Sequence, residues 1–236
     1  MIAKSRLFKL FVKPITRWAA SQTLIGRNRN RTDLQKGRFS RTDVDHLLAE
    51  TWIAFDRMAV DVSGEPTFGS RMNVQMAAVT LAFFQSLQSA GVPTDEAIEL
   101  VGDVCWKIYQ LWGRYGQFIR RWFHTDPIAN HHKRVGKDGS WPMAFPFNPP
   151  GYLARYTPID GGIGFDVVHC PVAAFFHAHH ASELGVRTWC MLDYPLAEMI
   201  DLHLTRTQTL AGGDSLCDFR WTRANQVSDK VRIHKN

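Results

Sequence analysis

The sequence predicts an α+β fold: a helical N-terminal half followed by an antiparallel-rich sheet with two short helices. Three observations carry this. Apolar residues recur near the helical period from about residue 40 to residue 123, and the pattern changes to strand-like alternation from Tyr152 onward. Between the two lies a Pro-, Gly- and Asn-rich connection, residues 124–151. With 236 residues and 45% apolar content, the chain has ample material for a packed core. No repeat or low-complexity tract interrupts it.

The net charge of +6 is unevenly placed. Residues 1–40 hold ten Lys/Arg against the single acid Asp33, a basic arm of +9 that leaves the remaining chain at −3. A body without basic excess argues against nucleic acid as a partner. In the arm, "MIAKSRLFKLFVKPITRW", Lys9, Lys13 and Pro14 interrupt the apolar run before it reaches the roughly 7–15 residues of a secretory leader. Four cysteines, Cys105, Cys170, Cys190 and Cys217, do not resemble the disulfide framework of a small secreted domain. A reducing, cytoplasmic setting is the expectation. The arm itself reads either as a basic amphipathic helix touching anionic lipid or as a segment packed on its own body or on another subunit.

Residues 41–236 read as a single α+β domain, with a helical part 41–125, the loop 124–151 and a sheet part 152–222. From Ser40 the pattern turns helical: "RTDVDHLLAETWIAFDRMA" has a capping residue ahead of Leu47, Leu48, Trp52, Ile53, Phe55 and Met58, which recur near the helical period. After the break "SGEPTFGS", the run "RMNVQMAAVTLAFFQSLQSAG" reads as a central core helix, apolar on most sides yet too short and too polar at its ends to span a bilayer. A long third helix starts at Thr94, with Asp95 and Glu96 at the positive end of its dipole and Cys105 on its apolar stripe as packing. His131 and His132 fall in the long loop, a candidate cover for a pocket. Beyond it, "YLARYTPI" and "IGFDVVHC" make a hairpin, followed by a helix over 171–184, a short strand "RTWCML" and a helical turn from Asp193. A terminal hairpin joins "LTRTQTLA" to "LCDFRW" through "GGDS".

Cys170 is the residue most suggestive of chemistry. Proline is favoured at the first helical position, so Pro171 puts Cys170 at the cap, where free N–H groups and the helix dipole favour a thiolate. Such placement lowers a cysteine pKa and yields a nucleophile or a ready metal ligand. His169 precedes it on the strand, where neighbouring side chains point to opposite faces, which sets it against being that cysteine's base; His177 and His203 are the alternatives. Further on, Cys190 and Asp193 are three apart, and Cys217 shares the inward face of its strand with Phe219 and Trp221 while Arg220 lies on the outer one.

The set "HCP", "WCMLD" and "LTRTQTLAGGDSLCDFRW", in that order and spacing, resembles the C-terminal signature of the L-2-amino-thiazoline-4-carboxylic acid hydrolase family. The resemblance covers residues 169–221. It implies a hydrolase acting on the carbon–nitrogen bonds of cyclic amidines or amides, with 2-amino-thiazoline-4-carboxylate opening to N-carbamoyl-cysteine as the named reaction and a small heterocycle as substrate. In that reading Cys170, Asp193 and Cys217 are the catalytic candidates: Cys170 adds to the ring carbon as thiolate, and Asp193 holds the exocyclic amine and relays protons. Arg206 is the candidate clamp for a substrate carboxylate, and His169 and Cys190 are further substrate contacts.

The same cysteines also allow a metal reading. "GD-x-x-C-x-F" looks like the tail of the vinyl-4-reductase class of small-molecule-binding domains, some of which hold zinc. Cys170, Cys190 and Cys217 with Asp193 form an acceptable ligand set by type, though their spacings match no compact zinc signature. The alternative function is therefore a zinc-binding module or a metal-assisted hydrolase, and no cofactor is required by the thiolate reading.

Overall fold

A computed structural model describes residues 2–58, 64–123, 126, 128–129 and 144–224. Four helices come first: α1 (Ile2–Leu24), α2 (Arg41–Met58), α3 (Phe68–Ser89) and α4 (Thr94–Phe123). The ends of α2 and α3 are fixed by reciprocal caps. Ser40 N–H donates to Asp43 Oδ2 at 2.7 Å while Asp43 N–H donates back to Ser40 Oγ at 3.2 Å, and Thr67 and Ser70 repeat the device on α3. As expected from its nearly continuous apolar pattern, α3 is central: Ala77, Ala78 and Ala82 are fully buried, and their small side chains let α2 approach closely.

The basic arm becomes α1 and a short loop. Ala19, Ala20 and Leu24 enter the core shared with α2, α3 and α4. Its cations answer acids on the body: Lys9 pairs with Asp56 at 2.7 Å and Arg17 with Asp45 at 2.9 Å, while Arg27, Arg29 and Arg31 pair with Asp103, Asp43 and Glu99.

The C-terminal half holds a four-stranded antiparallel sheet, β1 (Leu153–Tyr156), β2 (Ile163–His169), β3 (Leu202–Thr205) and β4 (Cys217–Arg223), in the order β1-β2-β4-β3. Three short helices lie between β2 and β3: α5 (Pro171–Ala178), α6 (Ser182–Thr188) and α7 (Asp193–Met199). The α+β class is as the sequence predicts, with three corrections in detail. The helix expected over 171–184 breaks at His180, whose φ is 53°, giving α5 and α6. "RTWCML" is no strand: its first residues complete α6, where Thr188 Oγ1 donates to Leu184 O at 2.6 Å, and Cys190–Leu192 form a 3-10 turn. Burial of Leu184, Gly185 and Thr188 against the neighbouring helices overrides the local β-like composition. Finally, β3 stops at Thr205, so Arg206 begins an irregular eleven-residue connection to β4 instead of extending a hairpin strand.

Two hydrophobic clusters result, one helical and one on the inner face of the sheet, and Cys170 packs against both. Phe165 on β2 lies opposite Phe219 on β4, with ring centroids 5.0 Å apart, and anchors the sheet side of that seam. Most of the connection 124–151, including His131 and His132, lies outside the described residues.

Candidate active site: three thiols and a buried ion pair at the helix–sheet seam

A cavity of about 550 Å³ occupies the seam. Apolar side chains make most of its wall, among them Phe165, Phe219 and Trp221 from the sheet and Phe176 and Trp189 from the helices. Five of the residues singled out in the sequence also line it: Cys170, Cys190, Asp193, Arg206 and Cys217.

Topology explains why residues so far apart in sequence meet. Strands β2 and β4 are antiparallel with Val167 opposite Cys217, so the end of β2, where Cys170 follows, lies beside the start of β4. The 3-10 turn carrying Cys190 leads directly into α7, whose first residue is Asp193. The family-like run after β3 closes the group by a set of short bonds. Asp218 Oδ1 accepts from the N–H groups of Thr207 (2.8 Å) and Gln208 (2.6 Å), and Asp214 Oδ2 accepts from Thr209 N–H (2.7 Å). Gly213, at φ 100°, turns the chain back into β4. The loop so pinned delivers Arg206 and Thr209 to the cavity side.

Thr209 joins two of the thiols. Cys217 Sγ donates to its hydroxyl at 3.7 Å and that hydroxyl donates to Cys190 Sγ at 3.6 Å, while Leu210 N–H donates to Cys217 Sγ at 3.2 Å. Arg206 is spoken for: Nη1 donates to Asp193 Oδ2 at 2.9 Å, Nη2 donates to Cys190 O at 2.8 Å, and the guanidinium lies 5.0 Å from the Phe219 ring and 5.3 Å from that of Tyr194. Its side chain is 4% exposed, whereas Asp193 keeps 26% of its surface open.

Cys170 occupies the cap of α5 as the sequence predicts, with Ala173 N–H donating to Sγ at 3.4 Å and Pro171 in the first turn. The electrostatic consequence differs from expectation. Burial pushes the Cys170 thiol up to about 12, outweighing the hydrogen bond at the helix start. Burial and the neighbouring Asp193 carboxylate raise Cys190 to about 11. At neutral pH Cys170 and Cys190 are therefore protonated. Iodoacetamide at neutral pH is therefore expected to modify Cys170 at least about a hundredfold more slowly than a cysteine in an unfolded peptide; peptide mass spectrometry over a time course reads this, and rapid selective labelling would contradict it.

Asp193 is also displaced. Burial raises its carboxyl to about 6 even though Arg206 pulls it down. For Arg206 burial works to lower the pKa, but the Asp193 carboxylate together with Cys190, Tyr194 and Cys217 more than offsets it, and the guanidinium lies above its ordinary value.

His169 is placed otherwise than the sequence suggested. It lies exposed at the end of β2 and does not line the cavity; neither do His177, exposed on α5, or His203 on β3. Strand alternation from Ile163, Phe165 and Val167 would put His169 on the cavity face, but it is the last residue of β2, beside the register shift between Leu153 and Ala154 of β1, and there it lies exposed. The structure in turn adds residues that sequence reasoning did not find: Tyr109 on α4, Tyr152 before β1, and Asn73 on α3, whose amide donates to Tyr152 Oη at 3.0 Å. Burial holds both phenols well above their usual range. No local pattern marks these three, although Thr209 lay in plain view within "RTQTLA".

The same cysteines carry the zinc reading. Among the described residues no group of three or more His, Cys, Asp or Glu is placed to hold a metal ion.

Helices thus meet an antiparallel sheet around a largely apolar cavity with thiols and a carboxylate in its wall, in a protein of the α+β class. The profile of the L-2-amino-thiazoline-4-carboxylic acid hydrolase family matches residues 71–221, and the chain belongs to that family. No curated protein and no solved structure matches it.

Proposed function

We propose that the chain is a hydrolase that opens the ring of a neutral or basic cyclic amidine or amide, a thiazoline among them, attached to a large apolar body. The observation that carries this is the gathering of Cys170, Cys190, Cys217 and the Asp193–Arg206 pair in the wall of an otherwise apolar cavity. Cavities of roughly 300–1,000 Å³ enclose drug-sized ligands, and 2-amino-thiazoline-4-carboxylate fills only a small part of about 550 Å³. Among the described residues Arg206 is the one Lys, Arg or His lining the cavity, and its hydrogen bonds go to Asp193 and Cys190. A substrate carboxylate would thus lack an uncommitted cation, which argues against Arg206 as a carboxylate clamp.

The buried thiol suits a basic ring. A ring nitrogen of an amidine takes the Sγ proton of Cys170, and the thiolate adds to the ring carbon. The ring bond then breaks, its electron pair leaving on the protonated heteroatom. Water next adds to the same carbon, and Cys170 departs and recovers its proton. In an amidine or amide ring the bond broken is C–N. In 2-amino-thiazoline-4-carboxylate itself the atoms require C–S cleavage, because N-carbamoyl-cysteine retains its nitrogen on the carbonyl carbon. Asp193 holds the exocyclic nitrogen through Oδ1, since Oδ2 serves Arg206. A second reading makes Asp193 a general base on water, with no covalent step; its pKa of about 6 favours it.

The test is turnover of cyclic amidines, thiazolines and amides bearing aromatic or alkyl substituents, followed by mass spectrometry for a product heavier by one water. Where Asp193 must be ionised, kcat/KM is expected to rise with pH through about 6, and Asp193→Asn is expected to abolish that limb. Stability runs the other way. Because the folded pKa lies above the unfolded value of 3.8, the stabilising contribution of protonating Asp193 is complete only below that value and is lost as pH rises through about 6. Saturable binding without turnover across the panel would sink the hydrolase reading in favour of a binding module.

A further inference from the structure

Helix α4 carries one apolar stripe along its whole length, but only half of it is covered. Leu100, Val104 and Ile108 are buried in the helical core. One turn further the same stripe continues as Leu111, Tyr115, Phe118 and Trp122 at the helical spacing of three and four residues, and the last three are 63%, 59% and 70% exposed. Phe118 and Trp122 stack on each other with ring centroids 5.9 Å apart.

Helix α1 presents a second uncovered stripe. Phe8 turns inward and stacks on Phe55 of α2 at 5.6 Å, whereas Leu7, Leu10, Phe11, Ile15 and Trp18 are exposed on another side. The two stripes belong to neighbours. Helices α1 and α4 pack together, Lys107 of α4 lies 5.7 Å from the Trp18 ring, and Arg27 and Arg31 beyond α1 reach Asp103 and Glu99, so the helices run antiparallel. The N-terminal part of α1 and the C-terminal part of α4 therefore form one apolar, aromatic face, far larger in content than the scattered apolar side chains of an ordinary surface.

The charge around this face selects its partner. Residues 2–24 contain five Lys/Arg and residues 107–123 contain four, with no acid in either segment. Lys9 and Arg17 meet acids of α2 at the edge turned to the body, and Arg114 is exposed within the α4 segment. A two-fold contact between copies of the chain would bring these positively charged segments, nine Lys/Arg and no acid, against each other. An anionic bilayer surface instead accepts all its parts: aliphatic and aromatic side chains enter the headgroup boundary, Trp and Tyr settle at the interface, and Lys and Arg meet lipid phosphates. No described helix is long and apolar enough to cross a membrane, so contact of this kind would be peripheral.

We infer that α1 and the C-terminal half of α4 form a docking face for anionic lipid bilayers. The inference stands on surface composition alone and is independent of the chemistry assigned to the cavity.

Co-sedimentation of the full chain with phosphatidylcholine vesicles, with and without phosphatidylglycerol, tests it. The wild type is expected to pellet with the anionic vesicles, to stay in solution with the neutral ones, and to be released by high salt. The triple variant Tyr115→Ser, Phe118→Ser, Trp122→Ser and, separately, the pair Leu10→Ser, Phe11→Ser are each expected to lower vesicle partition by roughly tenfold or more. All five side chains are exposed, so the far-UV circular dichroism and melting temperature should be retained. Failure to pellet with either vesicle, or binding that ignores lipid charge or survives both sets of substitutions, overturns the inference. A dimer in solution that these substitutions dissolve, without vesicle binding, overturns it in favour of an interface between copies.

Discussion

Exchanging Cys170 for serine is expected to remove turnover of any ring substrate, by about 10³-fold or more in kcat/KM, while leaving the fold in place. The two halves of this expectation have separate causes. Serine is a better helix cap than cysteine, so the bond from Ala173 N–H survives the exchange and α5 keeps its start. A hydroxyl, however, is a far weaker acid than a thiol, and the enclosure that raises Cys170 to about 12 works against an alkoxide even more strongly. If a basic ring draws the proton from Cys170, the serine variant binds substrate with little change in KM and fails in kcat. Should Cys170→Ser keep most of its activity while Asp193→Asn loses it, the attack belongs to water with Asp193 as base, and the covalent step is wrong. An adduct on Cys170 in the intact-mass spectrum of a reacting sample would support the covalent step directly.

The contrast between what the sequence disclosed and what it hid at this site has a physical basis. The cap at Cys170 was legible because a proline at the first helical position is a local signal, resolved within two residues. The inward face of Cys217 was legible from the alternation of Phe219 and Trp221. The sign of the thiol's pKa was not, because two effects oppose each other at that position: the helix start lowers it and enclosure raises it. The first is local, and the second depends on how Phe176 of one cluster and Phe165 of the other close over the seam, which only the assembled fold fixes. The same division explains "RTWCML". Its composition favours a strand, but Thr188 and Leu184 are buried by neighbours distant in sequence, and the helix continues. Tyr109 and Asn73 reach the cavity from helices whose apolar periodicity reports only that they are helices.

Removing the guanidinium of Arg206 is expected to cost far more stability than any change of a thiol. In Arg206→Ala the Asp193 carboxylate loses its ionic partner inside a largely apolar wall, and breaking a buried pair in this way costs about 3–5 kcal/mol. In a chain of this size that lowers the melting temperature by about 10 °C. Part of the loss is packing, because the guanidinium sits against the rings of Phe219 and Tyr194 and also bonds to Cys190 O. Two further measurements separate charge from packing. Lowering the pH from 7 to 5 should shrink the penalty, since without Arg206 the pKa of Asp193 rises further above about 6 and the protonated acid needs no cation. Combining Arg206→Met with Asp193→Leu should recover much of the stability, because an apolar pair of similar volume removes both charges and leaves neither uncompensated. Arg206→Lys is expected to rescue poorly: one ammonium does not reproduce the planar fork that reaches Asp193 Oδ2 at 2.9 Å and Cys190 O at 2.8 Å together. A penalty for Arg206→Ala below about 1 kcal/mol and flat in pH would mean that the pair is solvated like a surface ion pair. In that case the raised pKa of Asp193, and with it the acidic limb expected in the pH–rate profile, would fall together.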